Sequence, residues 1–498
     1  VGEPTPLQRL NLPGIKAPVY AKREDLGPIR AYKWRGAFNC MAALSQEARD
    51  KGIVAASAGN HAQGVALAAR VLNCHATIFM PRSTPEVKQT EVRRHGGRHV
   101  KIMLHGDCYD ETAAAAHEYT ETHGCTFVHP YDDLVTMAGQ GTLADEVVMS
   151  GEGPFDRAYV AIGGGGLAAS VACWLKKFWP HIKVIGVEGI DQASMKTSIE
   201  QGRRVNLDYV DVFCDGTAVH IPGELTYPLC RELVDEFVTV TNNEVCQAIR
   251  AMWESSRVVP EPSGAMSLAG FLKQWNRGEV KPEEKSFVVI SGANMDFTHL
   301  TQIARQAGIG NHETRYLRIS MDSKRGQVLK YLRHIPQDTT LVDVQYGKTE
   351  GNTQHPVFGI AASDEDLDTI RTTLKKKGIE FEDISEDDDV RFRMIHYQPE
   401  LCQHPLFVHI EFPERAGAFL DFMERIADLA SLCYFNYTYT GERVGRALVG
   451  MEFDTAEDRE TIRKRMGAFS KNIIRSIREI SPEAFQRIMG SRQLTGNH

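Results

Sequence analysis

Ile162-Gly163-Gly164-Gly165-Gly166-Leu167 follows one apolar run and opens another of helix length. Four successive glycines let the backbone come close to a bulky anion, and a helix start offers unpaired N–H groups with a partial positive charge. Phosphate is the guest this expects; the alternative is a turn that binds nothing. Alone, the loop does not name its ligand. Gly163, Gly165 and Ala168 satisfy a dinucleotide fingerprint, and Glu188 closes the next strand where a ribose-binding carboxylate would stand, so NAD is one candidate. No Gly-Lys-Ser/Thr ending follows, which excludes a Walker-type loop. Ala31-Tyr32-Lys33-Trp34-Arg35-Gly36-Ala37-Phe38 sets a lysine at the head of an apolar helix that also holds Met41. Apolar surroundings disfavour the ammonium form, which suits a nucleophilic amine that forms a Schiff base. By itself this is weak, since most lysines are surface residues. Ser57-Ala58-Gly59-Asn60-His61-Ala62-Gln63-Gly64 runs from a strand into a helix and presents N–H groups plus the Ser57 hydroxyl, a receptacle for a carboxylate. Ser291-Gly292-Ala293-Asn294 closes a further apolar strand.

The elements that must position these residues alternate from about residue 15 to 305. Strands are expected at Gly52–Ser57, Ala76–Met80, Val100–Leu104, Ala158–Gly163, Lys183–Glu188, Phe237–Thr241 and Phe287–Ser291, mostly as continuous apolar runs. Helices are expected at Gly64–Leu72, Gly139–Met149, Leu167–Phe178 and Asn243–Ser255. This rhythm means an α/β fold with ligands at the carboxyl ends of strands. After about residue 312 the chain repeats itself. Leu317-Arg318-Ile319-Ser320 with Gly326 and Leu329 matches Val408-His409-Ile410-Glu411 with Gly417 and Leu420, and the same 91-residue offset pairs Tyr346 with Tyr437 and Gly359 with Gly450. Two tandem βαββαβ-like modules follow, with the charged stretch Ser385-Glu386-Asp387-Asp388-Asp389 as a solvated boundary between them.

With 498 residues the chain is too long for one core. A formal net charge of -8 argues against nucleic-acid partners, and no apolar run nears the roughly 18–20 residues of a membrane span. The start, Val1-Gly2-Glu3-Pro4-Thr5-Pro6, has no secretory pattern, and the missing initiator Met leaves room for an upstream segment. The ten cysteines form no Cys-x-x-Cys pair, so inert thiols in the reducing cytoplasm, or an organelle matrix, are expected. His95, His99 and His105 lack metal-ligand spacing and are read as surface groups; Glu188, if it does not bind ribose, caps a strand or holds a cation.

The lysine, the Ser57–Gly64 turn, the tetraglycine loop and Ser291, in that order, resemble the fold-type II pyridoxal-phosphate (PLP) enzymes, and within them the biosynthetic threonine dehydratases. The resemblance covers essentially the whole chain. It implies a tryptophan synthase β-like α/β catalytic domain with two parallel-type sheets covered by helices at 1–312, a smaller subdomain at about 35–135, and two C-terminal α+β ACT-like (ferredoxin-like) regulatory modules at 313–393 and 394–498. It also implies that Lys33 carries PLP as a Schiff base and acts as catalytic base. Gly163, Gly164, Gly165, Gly166 and Leu167 would hold the phosphate, Asn60 the ring 3′-oxygen and Ser291 the pyridine nitrogen. Ser57, Ala58, Gly59 and His61 would surround the substrate carboxylate, with Glu261, in the family marker Glu261-Pro262-Ser263-Gly264-Ala265, near the cofactor. A serine at the pyridine nitrogen leaves it largely unprotonated and favours loss of a β-hydroxyl. Related serine racemases carry a second serine where this chain has Ala58, so dehydration without efficient racemisation is expected.

Two departures stand out. The usual Ser-Phe before the lysine is Ala31-Tyr32, which bears on substrate preference. Tyr346 and Tyr437 occupy positions the resemblance links to isoleucine or valine binding, yet the arginine that often follows is replaced by Gly347 and Thr438. Phe412-Pro413-Glu414-Arg415-Ala416-Gly417-Ala418-Phe419-Leu420 resembles the turn and helix start of such a module. A homotetramer is implied. The alternatives are PLP-dependent elimination or replacement on another β-hydroxy amino acid, a NAD-dependent oxidoreductase, and a silent amino-acid sensor.

Overall fold

The computed structural model describes residues 2–485 apart from 83, 107–108, 298, 311–313, 323, 325, 334–339, 363, 386, 388–389, 391–394, 414–417, 439–443, 468–475 and 483. The chain divides into two compact units, Val1–Gly310 and Asn311–His498.

The first unit opens with β1 (Leu7–Arg9), β2 (Val19–Arg23), α1 (Lys33–Ala43) and α2 (Gln46–Lys51). A lobe follows: β3 (Ile53–Ala56), α3 (Asn60–Val71), β4 (Ala76–Met80), α4 (Glu86–Gly96), β5 (Val100–Leu104), α5 (Tyr109–His123) and β6 (Thr126–Phe127). Then come α6 (Leu134–Met149), β7 (Arg157–Ala161), α7 (Gly166–Phe178), β8 (Lys183–Gly189), α8 (Ser194–Glu200), α9 (Thr226–Leu233), β9 (Glu236–Val240), α10 (Asn242–Ser256), α11 (Pro262–Asn276), β10 (Ser286–Ile290) and α12 (His299–Gly310). Among the described residues, β5-β4-β3-β6 form a four-stranded parallel sheet. The order β1-β2-β10-β7-β8-β9 forms a six-stranded sheet, parallel except for β1 on β2.

Every residue of β3, β7 and β10 is buried, as continuous apolar strands require when helices cover both faces. Separate hydrophobic clusters line the two faces of the larger sheet, and others pack the smaller one. The expected strands all form, their ends shifted by no more than two residues. Strand β5 is half-exposed at the sheet edge. Strand β2 is hidden from a hydropathy reading because its buried residues include Lys22 and Arg23.

Arg23 pairs with Asp25 at 2.8 Å, and Lys22 belongs to a buried cluster. Lys22 donates to Thr5 and Glu146, while the Arg35 guanidinium bonds both Glu24, at 2.7 Å, and Glu146. Two cations face two carboxylates, the condition under which buried charge is tolerated.

The second unit contains β11 (Thr314–Ile319), β12 (Met321–Asp322), α13 (Gln327–Leu332), β13 (Thr340–Gly347), β14 (Thr353–Gln354), β15 (Val357–Ala361), α14 (Asp364–Lys376) and β16 (Phe381–Asp383). After these come β17 (Leu406–Pro413), α15 (Ala418–Ile426), β18 (Ser431–Thr438), β19 (Val444–Glu452), α16 (Ala456–Gly467) and β20 (Ser476–Glu479). The sheet order is β16-β11-β15-β13-β18-β19-β17-β20, so two βαββαβ halves join through β13 and β18 over one hydrophobic core. In that antiparallel pairing Gln345 lies opposite Asn436, the residue 91 positions further on. The halves are therefore related by a pseudo-two-fold axis through this pair. Irregularities recur at equivalent places, between Leu341 and Asp343 and between Leu432 and Tyr434. The repeated glycines have a steric cause. A Cβ on Gly359 would stand 2.9 Å from the Tyr316 ring, and one on Gly450 2.6 Å from the equivalent Phe407 ring. Of the charged boundary, Glu386, Asp388 and Asp389 lie outside the described residues, as do Glu414 to Gly417 of the second module's turn.

Candidate active site

Lys33 is the first residue of α1. The chain just before it is tied to the end of β10: Ala31 bridges Gly292, and the Tyr32 N–H donates to the Ser291 carbonyl at 3.0 Å. Two close helix contacts seat α1. A Cβ on Gly64 of α3 would lie 3.1 Å from the Lys33 carbonyl oxygen, and one on Gly139 of α6 would lie 2.6 Å from that of Arg35. Only a residue lacking a side chain permits such approaches without displacing backbone. The Lys33 Nζ donates to the Pro130 carbonyl at 2.8 Å and lies 5.3 Å and 6.0 Å from the Tyr32 and Tyr131 rings. Burial pushes its amine down to about 8.

The tetraglycine loop joins β7 to α7, with Gly165 at φ +95° in the region that side chains disfavour. Its walls are close. A Cβ on Gly163 would meet the Thr217 backbone at 2.9 Å, one on Gly164 the Tyr131 ring at 2.3 Å, and one on Gly166 the Tyr131 carbonyl at 2.6 Å. The Thr226 hydroxyl donates to the Gly164 carbonyl, and the Asp132 carboxylate accepts from the N–H groups of Glu224, Leu225 and Thr226 at the start of α9. The first-turn N–H groups of α7 have no intrahelical partner.

The remaining motifs connect to these. Ser291 Oγ donates to the Ser263 carbonyl at 3.4 Å, and Ser263 Oγ is 3.2 Å from that of Thr217, beside the loop. Asn60 Nδ2 donates to Glu261 at 2.7 Å, and Asn60 Oδ1 accepts from Asn294 at 2.8 Å. Glu261 precedes α11 and presses on Gly292, where a Cβ would lie 2.4 Å from its Oε1. Burial, then the Asp215 charge, raises its carboxyl to about 8. Gly59 donates its N–H to Ser57 Oγ at 3.1 Å. Residues 57 to 60 stay half-buried, and a Cβ on Gly59 would meet nothing within 4 Å, so open space faces this turn.

His61 turns inward. Its Nε2 is 2.9 Å from the Val128 carbonyl, its Nδ1 is buried without a hydrogen-bond partner, and burial lowers it to about 3, so the ring is neutral at physiological pH. Glu188 stands apart. Its buried carboxylate accepts from the Met195 and Lys196 N–H groups at 2.9 and 2.8 Å, closing the start of α8, with its pKa raised to about 8 by burial. It caps a helix, where a strand cap or cation ligand was expected, and, only 1% exposed, it is closed to a ribose. His95 is buried and His99 half-buried, correcting their reading as surface groups. Tyr131, Asp132, Thr217 and Thr226 escaped the sequence reading, since ordinary loop residues acquire meaning only through what they face.

A four-glycine cradle that no Cβ could enter, a helix N-terminus, a half-buried lysine with a lowered pKa and a buried hydroxyl at the end of β10 fit a phosphorylated pyridine aldehyde. The model of pyridoxal-phosphate dependent enzymes matches residues 1–292, more than half the chain. A biosynthetic L-threonine dehydratase of Burkholderia multivorans is 36% identical over 452 residues, 90% of this chain and 88% of that one. The chain belongs to the threonine dehydratase family. Its cofactor is PLP. A mitochondrial threonine dehydratase of Schizosaccharomyces pombe is 35% identical over 441 residues, 87% of this chain and 73% of that one. Among solved structures, a processed form of threonine deaminase isoform 2 from Solanum lycopersicum is 40% identical with a TM-score of 0.58, over 61% of this chain and 88% of that one. A maize serine racemase is 30% identical with a TM-score of 0.55, over 60% of this chain and 92% of that one.

The threonine dehydratase C-terminal regulatory domain matches residues 402–475. In this unit Tyr346 is buried, stands opposite Phe435, and lines a cavity of about 610 Å³ with Arg318, His355 and Glu382. Tyr437 is buried opposite Val344. Among the described residues no helix is long and apolar enough to cross a membrane.

Proposed function

We propose that this enzyme converts L-threonine to 2-oxobutanoate and ammonia, and L-serine to pyruvate and ammonia, as the first step of isoleucine biosynthesis. The observation that carries this reading is the contact circuit that brings Lys33, the tetraglycine loop, the Ser57–Asn60 turn and Ser291 together from four distant stretches of sequence. Lys33 would bear PLP, Gly163 to Leu167 would hold its phosphate through N–H groups, Asn60 would orient the ring oxygen, and Ser291 would offer a neutral hydroxyl to the ring nitrogen. The cofactor supplies an electron sink for the charge left when the α-hydrogen departs as a proton.

The protein does the rest. The Ser57 hydroxyl and the N–H groups at the start of α3 bind the substrate carboxylate, His61 contributing through its backbone because its ring is turned away. Nζ of Lys33, lowered to about 8, is neutral often enough near neutral pH to accept the α-proton. Tyr131 and Tyr32 flank that amine and exclude water. Tyr32, in place of the family's usual phenylalanine, stands 5.3 Å from that amine and bears on the preference between threonine and serine.

The C-terminal pair adds amino-acid control. The cavity beside Tyr346 has cationic and anionic side chains suited to an amino acid such as isoleucine or valine. Such an effector acts through its different affinity for two arrangements of the enzyme. The same reading places the module limits at 313–393 and 394–498 and makes the enzyme a cytoplasmic homotetramer.

The test is 2-oxo acid release from L-threonine and L-serine by the intact enzyme and by Lys33→Ala, with isoleucine titrated in. Rapid release that falls at least 1,000-fold in the variant, an estimate of about 4 kcal/mol of lost barrier lowering, supports the assignment. A PLP-loaded protein inert toward both amino acids overturns the substrate. Unchanged rates at high isoleucine and valine overturn the control.

A further inference from the structure

Cys433 sits at the irregularity of β18, between Leu432 and Tyr434, and is fully buried. Its carbonyl accepts the Lys348 N–H at 2.9 Å, so its backbone is fixed. Cys402 follows a single helical turn, Pro399–Leu401, and keeps part of its surface exposed. That turn is fastened to the sheet by Lys348, whose Nζ binds the Leu401 carbonyl at 3.1 Å and the Glu452 carboxylate at 2.8 Å. The Phe453 N–H donates to the Gln403 carbonyl at 3.1 Å. Lys348 thus holds the residue before Cys402 through its side chain and the backbone of Cys433 through its own N–H, which brings the two thiols within electrostatic reach, and the Tyr397 hydroxyl lies 3.5 Å from Cys402 Sγ. The first half of the repeat has Asn311 and Val342 at the equivalent positions. Since an irregularity recurs there with Val342, the fold does not need sulfur at this place.

We propose that Cys402 and Cys433 are a modification site, a thiol pair that hydrogen peroxide oxidises to a reversible disulfide. Cys402 reacts first. It is the accessible partner, and the neighbouring Cys433, with help from Tyr397 and Lys348 against burial and the Glu452 charge, lowers its thiol to about 7. Its thiolate attacks one peroxide oxygen; the O–O bond breaks, and the departing hydroxide takes a proton to become water, leaving a sulfenic acid. The Cys433 sulfur then attacks that of Cys402. The S–S bond forms, the S–O bond breaks, and the hydroxide leaves with the Cys433 proton as a second water. The two thiols supply two electrons, and the peroxide is reduced to two waters. An external thiol reverses the bond by exchange. Closure brings one short turn against a strand, and neighbouring bonds already order both partners.

The test uses full-length enzyme treated with hydrogen peroxide near pH 7.5, followed by non-reducing peptide mapping by mass spectrometry. The expected product is a peptide pair joined through Cys402 and Cys433, two hydrogens lighter than the free peptides and released by dithiothreitol. Cys402→Ser and Cys433→Val, the latter copying the residue of the first half, each abolish it. Exposed Cys173 is the internal control for reagent reaching the protein. Oxidation of Cys402 to sulfinic acid without a cross-link, a bridge to another cysteine, or reaction at Cys173 alone would overturn the proposal. Because the readout is mass, it stands or falls independently of which amino acid the enzyme consumes.

Discussion

Burial lowers the Lys33 amine and raises the Glu261 carboxyl beside Asn60; loss of water acts on a cation and an anion in opposite senses. Glu261 has a testable consequence. Its folded pKa of about 8 exceeds the ordinary 4.5, so the folded state holds more protons between those values. Stability from this group is complete below about pH 4.5 and is lost as pH rises through about 8. Glu261→Gln, which carries no titrating proton, should show a smaller fall in chemical-denaturation stability between pH 5 and 8. Glu188, raised to about 8 by burial, loses stability over the same range in both proteins. A variant with the native slope would contradict this. Ala58 supports a second prediction: lacking a basic side chain, the enzyme forms no appreciable D-serine from L-serine, and Ala58→Ser raises that yield. Ready racemisation by the native enzyme, followed by chiral chromatography, would refute the first half. At this scale the sequence revealed residue types but not orientations. His61 looked like a ligand because of its neighbours, while its ring faces Val128.

Helix α1 is held where it is by what its neighbours lack. With Gly139 of α6 against the Arg35 carbonyl, a larger residue forces α1 and Lys33 away together. Gly139→Val should cost about 1–3 kcal/mol by overpacking, lowering both the melting temperature and kcat. Unchanged values for both would show that α1 is free to shift. The buried cluster behind it works by balance. Glu24→Ala leaves Arg35 and Lys22 short of a counter-charge, and removing one partner of a buried pair costs about 3–5 kcal/mol. Denaturant titration reads this directly; a loss below about 1 kcal/mol would contradict it. The apolar strands β3, β7 and β10 were legible because hydropathy reports burial. Strand β2 was not, because Lys22 is buried against Glu146, far away in sequence, and Arg23 against Asp25 beside it, pairings that hydropathy does not weigh.

At the scale of the molecule, the constant offset exposed the repeat, since duplicated modules keep the glycines that duplicated contacts demand. How the copies meet was not written in it; that depends on which strand edges pair. Nor could spacing expose Cys402 beside Cys433, which are neighbours only through a turn folded back on a strand. The pairing of β13 with β18 makes the C-terminal unit, in effect, a homodimer whose subunits have been fused head to tail. The intervening chain then serves as a tether that keeps each half at high effective concentration near the other. Cleavage at a protease site engineered into 391–394 would turn a unimolecular association into a bimolecular one. Dilution, which leaves the uncut enzyme untouched, would then separate the halves, and their reunion would follow mass action.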